Sequence, residues 1–309
     1  MDFGQTIVAA PAVLRDFVEF GRHFLDEPLD AGEAGGLLAA IHQNRRFDGS
    51  LFMDEADFLA DPQYTGVNPR LGRNLLDRFE DRLGFVEQAE PITSALTTLL
   101  GSDYEILNRK IVCGVPESVI PQWVKTKIGG DLVNNLGPYV RPEYRDITYF
   151  YGIDFHQDLI DFKDRDADFV TLYCYLHPVA RSDAPLFLLD GSHRLGATVF
   201  PHDLARTGPD TWRYGDRRGG EVEVGQRVLT GQTGFTAIWH ACTLHGTQPD
   251  AADHERISLR YLMARRPGSP AGIDQVNWAL AGPLRLPGTR LDLAGDGSPT
   301  LKGNIVNQA

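Results

Sequence analysis

The sequence of 309 residues is poor in cysteine and has no long apolar run. Its three cysteines, Cys113, Cys174 and Cys242, are far apart and form no C-x-x-C pair. A disulfide framework is therefore not expected. We expect buried free thiols instead, in a reducing compartment such as the cytoplasm. The N-terminus lacks the basic stretch and apolar segment of a signal peptide, and no run approaches the length of a transmembrane helix.

Positive charge is also scarce. Lys and Arg number 30 against 42 Asp and Glu, which gives a formal net charge of −12. Such a surface repels phosphates and anionic lipids, so neither nucleic acid nor a membrane is an expected partner. A hydrophobic content of 42% is ample for a packed core. These properties favour a globular protein with a packed core.

The first hundred residues have helical periodicity. Apolar residues recur at spacings of three to four in 12–26 and in 70–84, where Gly84 is well placed to end a helix. Further helices are predicted over 33–45 and 90–100. This part of the chain is expected to form a helical layer.

After Gly101 the chain changes to short runs of β-branched and aromatic residues, separated by Gly, Pro, Asp and Asn. Many short strands with few helices between them predict an antiparallel sandwich or barrel. The segment 127–146 is rich in Gly, Pro and Asn, and a connection of this length is often a lid or a binding loop. The candidate strands are 104–113, 119–127, 147–157, 168–177, 185–189, 221–224, 234–240 and 256–264.

A histidine and an aspartate are two positions apart in one of these strands. Residues i and i+2 of a strand point to the same side, so His156 and Asp158 are expected to project together. One imidazole and one carboxylate make up two of the three ligands in the facial triad that binds non-haem Fe(II). A solvated strand face would have the same pattern.

A second histidine would complete this triad. His245 lies where an apolar run meets Gly246, a good position for a ligand at the mouth of a barrel. His240 stands beside Trp239, where a packing or hydrogen-bonding role is the simpler interpretation. We therefore expect His245 to be the ligand.

Arginine and serine alternate with apolar residues eleven positions after His245. Arg256, Ser258 and Arg260 share one side of the predicted strand. A buried arginine needs an anionic partner. A dicarboxylate could supply it through a bidentate contact with a hydroxyl as an additional donor. The alternative is a surface ion pair with an acidic residue of 250–255.

Together these motifs resemble a known family. Fe(II)/2-oxoglutarate oxygenases have the same order of motifs: His156-x-Asp158, then His245 after 89 residues, then Arg256-x-Ser258 after 11 more. More narrowly, the sequence resembles the phytanoyl-CoA dioxygenase family, and the resemblance covers roughly 145–266.

The stretch 184–196 resembles the part of that family that ends in Pro-Gly-Ser-His. Here Asp190 replaces the proline, and we expect the turn to tolerate this change. His193 ends the motif, which is structural in the family, so His193 is not expected to bind metal.

The resemblance implies a fold that is mainly β with flanking helices. That fold is the double-stranded β-helix, a cupin-like jelly-roll barrel. The expected organisation is a single domain with a mostly helical N-terminal cover (1–101), a jelly-roll catalytic core (102–266) and a C-terminal extension (267–309).

The resemblance also implies the cofactors. His156, Asp158 and His245 would bind Fe(II), and the co-substrate 2-oxoglutarate would contact Arg256 and Ser258. The reaction would consume O2, release succinate and CO2, and hydroxylate or otherwise oxidise an unactivated C–H bond. Related halogenases lack the carboxylate ligand, so its presence favours hydroxylation, or another oxidation such as desaturation or ring formation.

Three further residues are candidates for binding. Thr171 and Tyr173 share one side of the predicted strand 168–177, where Thr171 could contact 2-oxoglutarate and Tyr173 the substrate; ordinary strand packing is the alternative. Lys127 precedes the expected lid and could meet an acidic substrate, although most such lysines are merely solvated.

Two other functions remain open at this point. A non-catalytic jelly-roll binding module would not need Arg256 at this distance from His245. A cupin-type metalloenzyme that does not use 2-oxoglutarate would commonly use more histidines than this chain offers in its first strands.

Overall fold

The structure, a computed structural model, describes residues 10–61, 64–162, 165–286, 288, 290–295 and 299–303. These residues form seven α-helices. Most of them precede the first long strand, as the helical periodicity predicts. The helices are α1 (Ala12–Phe20), α2 (Ala31–Asn44), α3 (Glu55–Ala60), α4 (Gly84–Glu87), α5 (Glu90–Leu100), α6 (Gln122–Ile128) and α7 (Gly272–Trp278). Short 3-10 helices cover Gly49–Leu51, Leu75–Arg82, Glu117–Val119, Gly137–Tyr139, Pro142–Tyr144, Asp158–Asp161 and Ser192–Leu195.

The strands form one sheet in the order β1-β10-β5-β12-β2-β4-β11-β6-β9-β8-β7, with β3 added to β4. All pairs are antiparallel except β2 with β4, which is parallel. The strands are β1 (Arg22–Phe24), β2 (Glu105–Gly114), β3 (Val133–Asn135), β4 (Thr148–His156), β5 (Phe169–Tyr175), β6 (Leu186–Asp190), β7 (Asp203–Gly208), β8 (Thr211–Gly215), β9 (Glu221–Leu229), β10 (Thr236–His240), β11 (His245–Thr247) and β12 (Arg256–Ala264).

The sheet curves back on itself around an interior. Tyr173 and Trp239, from β5 and β10, belong to the same apolar cluster as Leu188 and Leu229, from β6 and β9. Four strands separate these two pairs along the sheet, so only a curved sheet brings them together. The path stays open, since β1 and β7 end it. The fold is a mainly β jelly roll with flanking helices, as predicted.

The opposite side of the same sheet carries the helical layer. On β12, Ile257, Leu259 and Tyr261 join a large apolar cluster with the helices. The alternate residues Arg256 and Arg260 line the interior. The period of two that the sequence shows on this strand therefore separates a helix-facing side from an interior side.

Two local predictions are wrong. The segment 119–127 is not a strand, because Pro121 precedes α6 and the buried residues Val124 and Ile128 are one helical turn apart. The helix predicted over 70–84 is shorter and of the 3-10 type, and Gly84 begins α4 instead of ending a helix.

The expected loop 127–146 contains regular structure. Its strand β3 pairs with β4, and Val133 of β3 lines the interior cavity. The region after 266 contributes α7, whose Ile273 and Val276 pack in the same apolar cluster as α1 and α5. It also brings Arg290 to the cavity. None of the described helices has both the length and the apolar character needed to cross a membrane.

Asp190 fixes the N-terminal segment to the sheet. Its carboxylate accepts two hydrogen bonds from Arg22, at 2.9 and 2.8 Å, and one from Arg227 at 3.3 Å. Arg22 is buried and its guanidinium also lies over the rings of Phe20 and Phe24. The residue that departs from the family motif thus holds β1 against the end of β6.

We expect Asp190→Ala to lower the free energy of unfolding by about 3–5 kcal/mol, because it leaves the buried Arg22 cation without its carboxylate. Urea denaturation followed by circular dichroism measures the loss. The matched control is Glu221→Ala, which removes the exposed pair with Arg213 (3.5 Å) and should cost less than about 1 kcal/mol. Equal losses in the two variants would contradict this role for Asp190.

Candidate metal centre

Two backbone segments bring the predicted triad together. β4 ends at His156, and β11 begins at His245, which is the direct cross-strand neighbour of His156. Side chains at such positions lie on the same side of the sheet, and the two imidazole centroids are 4.1 Å apart. The antiparallel pairing of β4 with β11 therefore brings together residues that are far apart in the sequence.

Asp158 does not lie on the same strand as His156, although the sequence predicts that it does. The strand ends at His156, and Asp158 begins a 3-10 helix. Between them, the Gln157 side chain points away and donates to the carbonyl oxygens of Gly196 (2.8 Å) and Cys242 (2.9 Å). This buried amide fixes the turn that directs Asp158 towards the histidines.

The ligand atoms converge closely enough to share one ion. One ligand atom from each of His156, Asp158 and His245 lies within 4.8 Å of the others, and Nε2 of His245 is 3.6 Å from Oδ1 of Asp158. No other group of three metal-ligating side chains occurs among the described residues.

Both imidazoles are oriented by backbone carbonyl groups. Nδ1 of His156 lies 2.9 Å from the Asp154 oxygen, and Nδ1 of His245 lies 3.1 Å from the Thr243 oxygen. A carbonyl oxygen only accepts, so each Nδ1 donates and each Nε2 carries the lone pair. Burial, helped by His245, holds the pKa of His156 well below its ordinary value. His156 is therefore neutral at pH 7, as a metal ligand must be.

The Asp158 carboxylate is held on both of its oxygens. Oδ2 accepts from Nε1 of Trp239 at 3.1 Å and from the Thr171 hydroxyl, while Oδ1 accepts from Arg260. Burial alone would favour the neutral acid, but Arg260, the two imidazoles and the Thr171 hydroxyl hold the pKa of Asp158 well below its ordinary value. The carboxylate is ionised, and this set of two imidazoles and one carboxylate fits Fe(II).

The other candidate histidines lie elsewhere. Nε2 of His240 is 2.9 Å from Oδ1 of Asn277, and its Nδ1 accepts from the backbone N–H of Cys242. Burial lowers the pKa of His240 to about 4. His193 packs beside His240, with ring centroids 6.0 Å apart. The structure thus places both outside the triad.

Arg256 is buried on the wall of the same cavity. Its side chain is 1% exposed, and its Nε and Nη1 have no hydrogen-bond partner among the described residues. The alternative of a surface ion pair fails, because no described carboxylate lies within 4.0 Å of it; Glu255 instead contacts His42 at 2.6 Å. The Ser258 hydroxyl on the same strand is also buried and has no hydrogen-bond partner in the described part of the chain. Such a wall fits an anionic ligand with several oxygens.

The remaining predicted residues are divided between the cavity and the surface. Tyr173 lines the cavity, its hydroxyl has no partner among the described groups, and its ring stacks on Trp239 at 5.9 Å. Thr171 contacts Asp158. Lys127 lies on the exposed side of α6 over the ring of Phe58 and does not line the cavity.

Sequence reasoning assigned no role in the site to Lys110, Trp239, Arg260 or Arg290, all of which line the cavity. Alternation along β12 indicates that Arg260 faces inward with Arg256, and the predicted strand 104–113 could have suggested the same for Lys110. No sequence signal pointed to Trp239 as a donor to Asp158. Arg290 lies in a C-terminal segment without a recognisable pattern.

Comparisons with known proteins show the fold and one distant relative. No family model matches the chain. The probable alpha-ketoglutarate-dependent hypophosphite dioxygenase of Stutzerimonas stutzeri is 27% identical over 113 residues, which are 36% of this chain and 38% of that protein. The match thus spans well under half of the length of that relative.

Solved structures resemble the chain over most of its length. The epimerase SnoN, in complex with Fe3+, alpha ketoglutarate and nogalamycin RO, has a TM-score of 0.52 at 16% identity, covering 97% of this chain and 95% of its own. EctD from S. alaskensis with bound Fe has a TM-score of 0.47 at 13% identity, covering 90% and 86%. The likeness to SnoN shows the shared jelly-roll fold.

We expect His245→Ala to abolish binding of Fe(II) while the fold is retained, because two ligands remain where three are needed. Anaerobic calorimetry measures the affinity, and circular dichroism checks the fold. The matched control is His240→Ala, which removes an equally buried imidazole outside the triad. Loss of metal binding in the control with retention in His245→Ala would show that the ligand assignment is wrong.

The contact of Thr171 with Asp158 gives a second prediction. Thr171→Val keeps the shape but removes the hydrogen bond that orients the carboxylate, and such a loss typically weakens metal binding by roughly 10–100-fold. Thr171→Ser, which keeps the hydroxyl, serves as the control. Unchanged metal affinity with weaker 2-oxoglutarate binding would instead support a direct contact with the co-substrate.

Proposed function

We propose that this protein is an Fe(II)- and 2-oxoglutarate-dependent oxygenase that oxidises an unactivated C–H bond of a small organic substrate. The observation that carries the proposal is the combination, in one cavity, of a buried His-Asp-His triad with a buried arginine whose Nε and Nη1 have no hydrogen-bond partner among the described residues. A bound metal explains the triad, and a bound diacid explains the buried Arg256.

His156, Asp158 and His245 would hold the metal. Arg256 would bind the far carboxylate of 2-oxoglutarate, with Ser258 as an additional donor. When bound, Fe(II) supplies activation of O2, which couples decarboxylation of 2-oxoglutarate to succinate and CO2 with oxidation of the substrate.

The side chains around the site provide geometry and a dry environment. Trp239 and Thr171 hold one oxygen of Asp158, so its other oxygen remains directed at His245. The rings of Tyr173 and Trp239 cover one wall of the cavity. A low-dielectric wall strengthens the contact between Arg256 and a carboxylate.

Within this class, we assign the chain to the phytanoyl-CoA dioxygenase-like enzymes and its reaction to hydroxylation. The order His156-x-Asp158, His245, Arg256-x-Ser258 supports the assignment. The carboxylate ligand favours hydroxylation over halogenation. The name of the Stutzerimonas relative supports dependence on 2-oxoglutarate.

Two rival functions account for less of the site. A non-catalytic jelly-roll module gains nothing from a buried arginine that forms no ion pair with any described carboxylate, since such a charge costs stability. A metalloenzyme that does not use 2-oxoglutarate leaves the Arg256 and Ser258 donors unexplained. Aerobic incubation with Fe(II), ascorbate and 2-oxoglutarate tests the proposal, and we expect succinate. Absence of both succinate and Fe(II)-dependent 2-oxoglutarate binding would rule it out.

Arg256→Ala should weaken binding of 2-oxoglutarate to the metal-loaded protein by about 2–5 kcal/mol, the usual cost of losing one partner of a desolvated charge pair. Calorimetry measures the affinity. Arg213→Ala removes an arginine that is 58% exposed and should leave this affinity unchanged. An Arg256→Ala protein that binds 2-oxoglutarate normally would contradict the assignment.

A further inference from the structure

Both acceptor sites of one Asp158 oxygen are occupied. Oδ2 accepts from Nε1 of Trp239 at 3.1 Å and from the Thr171 hydroxyl. A carboxylate oxygen has two lone-pair sites, so Oδ2 has none left for a metal. The other oxygen, Oδ1, lies 3.6 Å from Nε2 of His245. A metal bound by the triad therefore takes Oδ1 as its ligand atom.

Arg260 contacts this same oxygen. Its Nη2 donates to Oδ1, and Asp158 is the only carboxylate among the described residues that lies within 4.0 Å of this guanidinium. Because Oδ1 has two lone-pair sites, it can bind a metal and accept from Arg260 at the same time. The guanidinium keeps its charge in any protein environment. A permanent positive charge therefore shares its contact atom with the metal.

Water screens this charge only weakly. Asp158 is 1% exposed, and the side chain of Arg260 is 10% exposed. Charges interact more strongly at such positions than in water, because the effective dielectric constant is lower. Trp239 and Thr171, the other two partners of the carboxylate, are neutral. Of the three partners, Arg260 is thus the one that adds a full charge beside the metal position.

The contact has two opposite effects on a bound metal ion. It helps to fix the carboxylate, as the partners of metal ligands generally do. It also places one cation next to another, and this repulsion grows with the charge of the metal ion. Fe(III) carries one more positive charge than Fe(II). The contact therefore disfavours Fe(III) more than Fe(II).

We propose that Arg260 is a positioning residue that keeps bound iron in the ferrous state. It acts through Oδ1 of Asp158, and it makes the removal of one electron from Fe(II), which leaves Fe(III), more costly. This inference rests on the function proposed above, because that reaction uses Fe(II). If Arg260 only oriented the carboxylate, its loss would weaken the binding of divalent metals and leave the balance between Fe(II) and Fe(III) unchanged.

A redox titration of the iron-loaded, full-length protein tests this inference. Under anaerobic conditions and with redox mediators, ferricyanide takes one electron from each iron and dithionite returns it, while EPR spectroscopy follows the Fe(III) signal. Arg260→Met removes the charge and keeps an extended side chain. We expect it to lower the preference for Fe(II) over Fe(III) roughly 10-fold or more, which for one electron lowers the midpoint potential by at least about 59 mV.

Further variants separate charge from orientation. Arg260→Gln keeps a hydrogen-bond donor without the charge and should lower the potential as Arg260→Met does. Arg260→Lys keeps the charge, so its shift should be less than about half as large. Thr171→Val removes a neutral partner of the same carboxylate and should likewise cause the smaller shift. Arg213→Met removes an exposed charge outside the cavity and should leave the potential unchanged.

The outcomes separate this inference from the proposed function. A wild-type protein that binds neither Fe(II) nor Mn(II) overturns the proposed function. A protein that binds iron, yet has the same potential in Arg260→Met and Arg260→Gln as in the wild type, overturns only the role of Arg260. A shift in Arg260→Lys or Thr171→Val as large as that in Arg260→Met would show that orientation, and not charge, is responsible. Loss of iron from both Arg260→Met and Arg260→Gln would also overturn the inference, since the contact would then be needed to hold the metal.

Discussion

The pairing of β11 with β4 is the constraint on which the site depends. It sets His245 opposite His156, and the carbonyl groups of Asp154 and Thr243 then orient both imidazoles in the same way. Since the two Nδ1 contacts come from the backbone, they persist as long as the strands pair. The strand pairing therefore determines the positions of both histidines, and only Asp158 is positioned by other contacts.

Asp158 connects the metal site with the opposite wall of the cavity. Its two oxygens contact residues of β5, β10 and β12, through Thr171, Trp239 and Arg260. These strands are consecutive in the sheet, in the order β10-β5-β12. A carboxylate just after the end of β4 is therefore connected to three neighbouring strands on the other side of the cavity.

The sequence predicts which residues converge in the triad better than it predicts their surroundings. The pairing of His156 with Asp158 assumes a continuous strand, yet the strand ends at His156 and a 3-10 helix brings Asp158 to the histidines. The contact of Arg260 with Asp158 joins residues 102 positions apart, and only the register of distant strands determines it. The nine residues of 119–127 are too few for their spacing to separate a strand from a helix, and the burial of Val124 and Ile128, one turn apart, agrees with the helix Gln122–Ile128.

The acidic composition and the cationic cavity have different consequences. The net charge of −12 acts on the outer surface, where water and salt screen it over about 8–10 Å. Inside the barrel the dielectric is lower, so the charge of Arg256 acts more strongly on whatever enters. An acidic surface thus disfavours large polyanions, while the buried Arg256 favours a carboxylate such as that of the proposed co-substrate. The net charge therefore acts on molecules that approach the outer surface, and Arg256 acts on those that enter the cavity.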